Sequence, residues 1–470
     1  MIRKLDLKPA SLLLLLFALV IPVATASAQS KKERKQAQQL EQEAQKAFNQ
    51  KNYRTTIEKA AASIAIVPAN PNIHFWKGYA HYYLKELDNA ISEFDTALSQ
   101  GYKPLDVYKV RSIAKFEKKD YDGALADFNQ GLKLDPNNLM FLAGKAEINF
   151  NQQKYPEALA TYQLALAQAP NNAEFYYDIA RIQQKLGNVK AQISMAEEAI
   201  KRNVHFLGDA YNIAAEGYYQ QGQITEAEQA YVNAISRWKA NNVKPPEMYI
   251  AYRTLGDIYR RLNRFDDAIK ITKQAIIDFP TNGTLYTDNS WFYSLAGRNQ
   301  EAIEAAKAGI TLLPDQSLAY TNLCRAYNDT GEYQLAINSC NAALKISPDD
   351  GETYFYLGRA YELSGRAKEA APFYSKAVRG LEKFVVDRPD YSDGFYLLGN
   401  AYYSAGQSQK AIDAYLKCLE LNPRFPKARY NLGLMYAVNK NKSAAMEQYN
   451  SLLSLDPTLA AQLKTEIDKL

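Results

Sequence analysis

Apolar residues along this chain recur at helical spacing in short paired segments, and the pairs repeat every 34 residues over most of its length. The pieces LGDIY (255–259), LCRAY (323–327), LGRAY (357–361), LGNAY (398–402) and LGLMY (432–436) mark the first segment of a pair. Behind them come small and larger apolar residues in fixed order and then proline: Ala268, Thr272, Ala275 and Pro280 in one stretch, Ala336, Cys340, Ala343 and Pro348 in another, Ala411, Tyr415, Cys418 and Pro423 in a third. This frame places units at 37, 71, 105, 139, 173, 208, 249, 283, 317, 351, 392 and 426, an array over 37–459. Insertions at 242–248 and 385–391 interrupt it, marking either hinges or longer second helices. The unit at 37 is degenerate, with Ala44, Thr56, Ala60 and Ser63 where stronger residues are usual, and the unit at 208 has Lys239 in place of the closing proline.

Within a unit, positions 4, 7, 8 and 11 share one face of a first helix, and positions 20, 24 and 27 face them from a second. Small residues at 8 and 20, such as Gly256 with Ala268 and Gly358 with Ala370, allow close approach. Glycines at 187, 222, 297, 331, 365 and 406 mark the turn between the helices. No such pair buries its apolar face alone, so neighbours must stack.

The pattern resembles the tetratricopeptide repeat (TPR) family over nearly the whole chain after its first 36 residues. The resemblance implies an all-α fold, a right-handed superhelical solenoid of about twelve antiparallel helix pairs. It also implies that positions 2, 5, 9 and 12 of each first helix line the concave surface on which such proteins hold partners. At the C-terminal end Asp456-Pro457 opens a capping helix over 457–470, with Leu459, Leu463, Ile467 and Leu470 as its apolar stripe.

Residues 1–28 have the form of a secretory signal peptide: Arg3, Lys4 and Lys8, an apolar run from Leu12 to Val23, then Ala26-Ser27-Ala28, with cleavage expected after Ala28. That run is shorter than the ~20 residues a membrane-crossing helix needs. The expectation is an exported, periplasmic or secreted protein, not embedded in a membrane after cleavage. The segment 29–36 is charged and reads as a solvated helix start.

Composition adds one anomaly, 35 tyrosines against 3 tryptophans and 18 phenylalanines. Most tyrosines fall at positions 4, 11, 17 and 24, where amphipathic rings suit helix interfaces. Others fall at the concave positions. The expected partner-binding set is Phe75, Tyr79, Tyr82, Phe116, Phe150, Tyr177, Arg181, Tyr219, Arg253, Arg260, Trp291, Arg325, Phe355, Arg359, Tyr396, Asn400, Tyr403 and Tyr430. Exposed aromatics and arginines are what protein-binding surfaces contain. The arginines either receive acidic groups of a partner or pair with acids across repeats. Tyr102, Tyr249, Tyr356 and Tyr391 fit neither pattern. Asn400 and Asn431 match two asparagines of the chaperone-docking members, but Tyr396 replaces a lysine of that clamp and no third unit follows.

The net charge of +5 argues against a dedicated nucleic-acid binder, and +2 of it lies in the first 28 residues. The chain has no phosphate-binding loop, HExxH, GxSxG or paired-cysteine zinc motif, so neither enzyme chemistry, a metal nor a cofactor is expected. Cys324 and Cys340 occupy facing positions of one unit and form either a disulfide or two buried thiols. The reading is a non-enzymatic scaffold in a bacterial envelope that binds a peptide or partner protein, within a multiprotein complex or free. The alternatives are an accessory subunit of an enzyme acting on envelope polymers and an architectural subunit of a secretion or pilus-type assembly.

Overall fold

The computed structural model describes residues 31–469; the expected signal peptide, its cleavage site after Ala28, and Leu470 lie outside the described residues. All regular structure among them is helical, 25 helices with no strand. They form two compact units divided after Phe206. The first holds α1 (Lys31–Asn49), α2 (Tyr53–Ile66), α3 (Pro71–Tyr83), α4 (Leu87–Ser99), α5 (Pro104–Glu117), α6 (Tyr121–Leu134), α7 (Leu139–Asn151), α8 (Tyr155–Gln168), α9 (Ala173–Lys185) and α10 (Val189–Lys201). The second holds α11 (Leu207–Gln220), α12 (Ile224–Ala240), α13 (Pro246–Arg261), α14 (Phe265–Asp278), α15 (Gly283–Leu295), α16 (Asn299–Leu312), α17 (Ser317–Thr330), α18 (Tyr333–Ile346), α19 (Gly351–Leu363), α20 (Ala367–Asp387), α21 (Ser392–Ser404), α22 (Ser408–Leu421), α23 (Pro426–Val438), α24 (Lys442–Leu452) and α25 (Pro457–Ile467). In each unit every odd-numbered helix up to α23 packs against the even one after it, and successive pairs stack.

Local chemistry sets the helix ends. Side chains of Asn70, Asn138, Asn172, Asn282 and Asp350 cap first helices by accepting a backbone N–H of the first turn, and Asp456 does so for α25. The turn inside each pair passes through one left-handed residue. Six pairs use glycine there; the others place Lys51, Lys85, Lys119, Gln153, Asn263 and Lys440 in the same conformation. Helices α14, α16, α18 and α22 stop two residues before Pro280, Pro314, Pro348 and Pro423, because the residue ahead of a proline is pushed out of the helical region.

The core is a stack of aromatic rings against glycines and alanines. Phe94 and Phe141 are fully buried, and each such side chain stabilises by about 1.5–3 kcal/mol. A Cβ on Gly399 would fall 2.5 Å from the ring of Tyr415, so position 8 must stay small where position 24 is aromatic. The last pair is covered by α25, whose Ala460, Leu463 and Ile467 are fully buried against α23 and α24.

The two insertions behave differently. Residues 385–387 prolong α20 to 21 residues, whereas 242–245 form a loop and 246–248 begin α13. The long α20 crosses the start of α19 with backbone on backbone: a Cβ at Gly380 would lie 2.7 Å from Gly351 Cα and from the Asp349 carbonyl oxygen. Neither neighbour can swing away as a side chain end can. Gly380→Ala is therefore expected to destabilise the second unit by about 1–3 kcal/mol, the cost of overpacking. Urea unfolding followed by circular dichroism checks this.

Candidate binding channel

In the second unit the first helices turn one face, and α20 its C-terminal half, onto a common cavity of about 890 Å³, lined by residues from Arg260 on α13 to Leu459 on α25. Helical periodicity brings these side chains together, since the stack repeats one face at each step. Its wall includes Trp291, Phe355, Tyr356, Tyr391, Tyr396, Phe425 and Tyr430, and its charged members include Arg260, Arg325, Arg359, Lys427, Asp329, Glu352 and Asp393. The rings pack on one another and on cations. Tyr396 lies 4.9 Å from Phe425, Arg325 sits over Tyr356 at 5.0 Å, and Arg260 over Trp291 at 4.8 Å.

Every arginine of the expected set carries an acidic partner. Arg181 reaches Asp178 at 3.2 Å and Glu147 at 3.6 Å, Arg253 reaches Asp288 at 2.6 Å, Arg325 reaches Glu352 at 2.6 Å, and Arg359 reaches Asp329 at 3.1 Å. Arg260 is the most enclosed of these, 4% exposed, and binds both Asp257 and Asp393. Of the two readings left open for the arginines, pairing across and within repeats is what the geometry contains.

Burial pushes the Glu352 carboxyl above the usual carboxylate range, and Arg325 only partly offsets this. The Nε of Arg325 is buried and has no acceptor. Lys427, whose side chain opens into the cavity, is held below the ordinary lysine value by desolvation and by the charges of Arg325 and Arg359.

Eight of the expected residues line the channel: Arg260, Trp291, Arg325, Phe355, Arg359, Tyr396, Asn400 and Tyr430. The amide oxygen of Asn400 accepts from Tyr415 Oη at 2.7 Å and from Asn431 Nδ2 at 2.9 Å, so these two asparagines are turned to each other. Tyr219, Arg253 and Tyr403 belong to the second unit but not to the cavity; Tyr403 is 56% exposed.

The first-unit members mostly pack. Phe75 is buried and stacks on Tyr102 at 4.1 Å, and Tyr79 sits edge-on to Phe48, Phe75 and Phe94. Tyr82 Oη donates to Glu117 at 2.6 Å, Phe116 is buried against Tyr121, Arg181 covers Phe150 at 4.3 Å, and Tyr177 packs on Phe206.

Sequence reasoning missed Tyr356, Tyr391, Phe425 and Lys427. Lys427 stands at position 2, a concave position, but a lone lysine on a helix face ordinarily only meets solvent and carries no signal of its own. Tyr391 ends an insertion and Tyr356 sits at position 6, so the repeat frame gave no reason to select either.

Outside the channel, Cys324 and Cys340 are joined by a disulfide, with Cα atoms 5.3 Å apart at the close approach of α17 and α18. Cys418 is a buried free thiol whose ionisation burial opposes. His74 and His81 each bind a carboxylate, Glu93 and Glu86, at 2.6 Å. Among the described residues there is no group of three or more His, Cys, Asp or Glu arranged to hold a metal, and no helix long and apolar enough to cross a membrane.

Profiles of the tetratricopeptide repeat match residues 111–173, 173–203, 214–283, 315–383 and 426–459, and a TPR repeat profile matches 399–439, together more than half of the chain. The chain belongs to the tetratricopeptide repeat family. Among solved structures, it is similar to the APC/C hetero-tetramer Cut9-Hcn1, at 15% identity over 92% of this chain and 96% of that one, with a TM-score of 0.39. It is also similar to yeast Tom70, at 14% identity over 85% and 95%, TM-score 0.36. A tetratricopeptide repeat protein from Parabacteroides merdae matches at 15% identity over 55% and 98%, TM-score 0.38. No curated protein matches the chain.

Proposed function

We propose that this protein is a non-enzymatic interaction scaffold of the bacterial envelope, and that the channel of its second unit holds a peptide or partner-protein segment. The observation that carries this is the channel wall, where rings from the first helices α15, α19, α21 and α23 share one cavity, with the charged Arg325 and Asp329 of α17 set among them. Aromatic anchors in an enclosed site supply most of the free energy in such recognition, and interspersed charges set register. The leader sequence supports export, and a buried disulfide suits an oxidising compartment.

Residues 29–470, immobilised and panned against short random peptides displayed with a free end, are expected to select binders. Calorimetry of a selected peptide is expected to show about tenfold or greater weakening for Trp291→Ala and Tyr430→Ala, more than ~1.4 kcal/mol each. Tyr403→Ala, outside the cavity, is expected to bind as the parent does. Undiminished affinity in both channel variants, or no selected peptide, would contradict the proposal.

A further inference from the structure

Repeats in a stacked array ordinarily touch only their neighbours. One set of contacts in the second unit skips three whole repeats. Arg260, near the end of α13, meets Asp393 in the first turn of α21, 133 residues further on. Its Nη1 donates to both carboxylate oxygens, at 2.8 and 2.9 Å. The other edge of the same guanidinium is held by Asp257, which accepts from Nε at 2.9 Å and from Nη2 at 2.7 Å. Trp291 lies against its face. A second tie runs alongside: Asn263 Nδ2 donates to the Arg424 carbonyl at 2.8 Å, across 161 residues. Asn263 is the left-handed turn residue after α13, so an asparagine there serves both the turn and the reach.

We propose that these contacts clasp the second unit shut around its channel, so that the channel admits the free end of a polypeptide and excludes a segment tethered on both sides. This rests on the channel being a peptide site. An open concave groove accepts a chain laid in from the side. A closed one must be threaded, and a segment fixed at both ends can enter only doubled over. The cavity of about 890 Å³ lies within the range of compact-ligand sites, ~300–1,000 Å³. The clasp is built to hold, because a buried planar fork with both edges and a face engaged has little freedom to reorient. The insertion 385–391 ends two residues before Asp393, and its Tyr391 lines the channel next to the clasp.

The test displays one random peptide library in two formats, as free-ended tails and as inserts between two folded domains, and pans each against the parent protein and against Asp393→Ala/Asn263→Ala. For the parent, tails are expected to be enriched over inserts by about a hundredfold, and for the double variant this preference is expected to fall to within about tenfold. Spin labels at Lys270 and Gln409, on the exposed surfaces of α14 and α22, are expected to give one narrow distance in the parent and a broad distribution in the variant. Equal enrichment of tails and inserts by the parent would overturn the clasp and leave the channel reading standing. Failure of both formats to yield binders would overturn both. A broad label distance in the parent would also overturn the clasp, and the parent's results decide the matter even if the double variant does not fold.

Discussion

Arg260→Ala is expected to lower the stability of the second unit by about 3–5 kcal/mol, the usual consequence of deleting one partner from a buried charge cluster. The side chain is 4% exposed and neutralises two carboxylates that would otherwise face each other, Asp257 and Asp393. Removing it leaves the largely buried Asp393 without its arginine, leaves Asp257 to Arg261 alone, and strips Trp291 of its cation. Arg359→Ala provides the contrast. Arg359 is 39% exposed in its side chain and pairs with Asp329 alone, so its loss is expected to cost no more than about 1 kcal/mol. Urea unfolding read by circular dichroism separates the two, provided the transition of the second unit is fitted by itself. A loss below that of Arg359→Ala would contradict the assignment of Arg260 as the keystone.

The same cluster has a pH signature. Burial opposes the charge on Asp257, yet Arg260 and Arg261 outweigh it and hold the carboxyl below its ordinary value. A group with a depressed folded pKa stabilises the fold above its unfolded pKa, about 3.9, and that contribution is lost as pH falls through the folded value. Acid should therefore weaken the parent more steeply than Arg260→Ala, in which Arg261 alone remains to hold Asp257 ionised.

The second large effect concerns the disulfide. Its 16-residue separation predicts a contribution of about 3 kcal/mol from restricting the unfolded chain. Cys324→Ala/Cys340→Ala is expected to lower the unfolding transition of the second unit accordingly, and reductant is expected to do the same to the parent but not to the variant. Thiol titration of the unfolded parent without reductant should find one reactive group, Cys418. Three would contradict the bridge.

The helical pairing was legible because it is enforced locally and repeatedly. An Asn or Asp before a first turn, a left-handed turn residue, a small residue opposite a ring and a late proline each leave a mark in the sequence. Cys324 and Cys340 were legible as facing positions for the same reason, although their bonding was not. What the repeat frame could not convey was how the face it predicts is spent. Phe75 and Tyr79 lie at the same positions as Phe355 and Arg359, yet the first two pack among rings of their own unit and the last two line a cavity. That difference arises from neighbours several repeats away. Arg260 has the same cause: its partner Asp393 is distant in sequence, and no periodicity links them. Tyr391 and Lys427 became functional candidates only when the array closed on them.

The most direct measurement of the central claim is hydrogen–deuterium exchange of residues 29–470 with and without a selected free-ended peptide. The account predicts slowed exchange in α15, α17, α19, α21 and α23 and in the C-terminal half of α20, which line the channel, with the first unit unchanged. Protection confined to the aromatic cluster around Phe48, Tyr79 and Tyr83, or to the second helices α12, α16, α18 and α22, would contradict it.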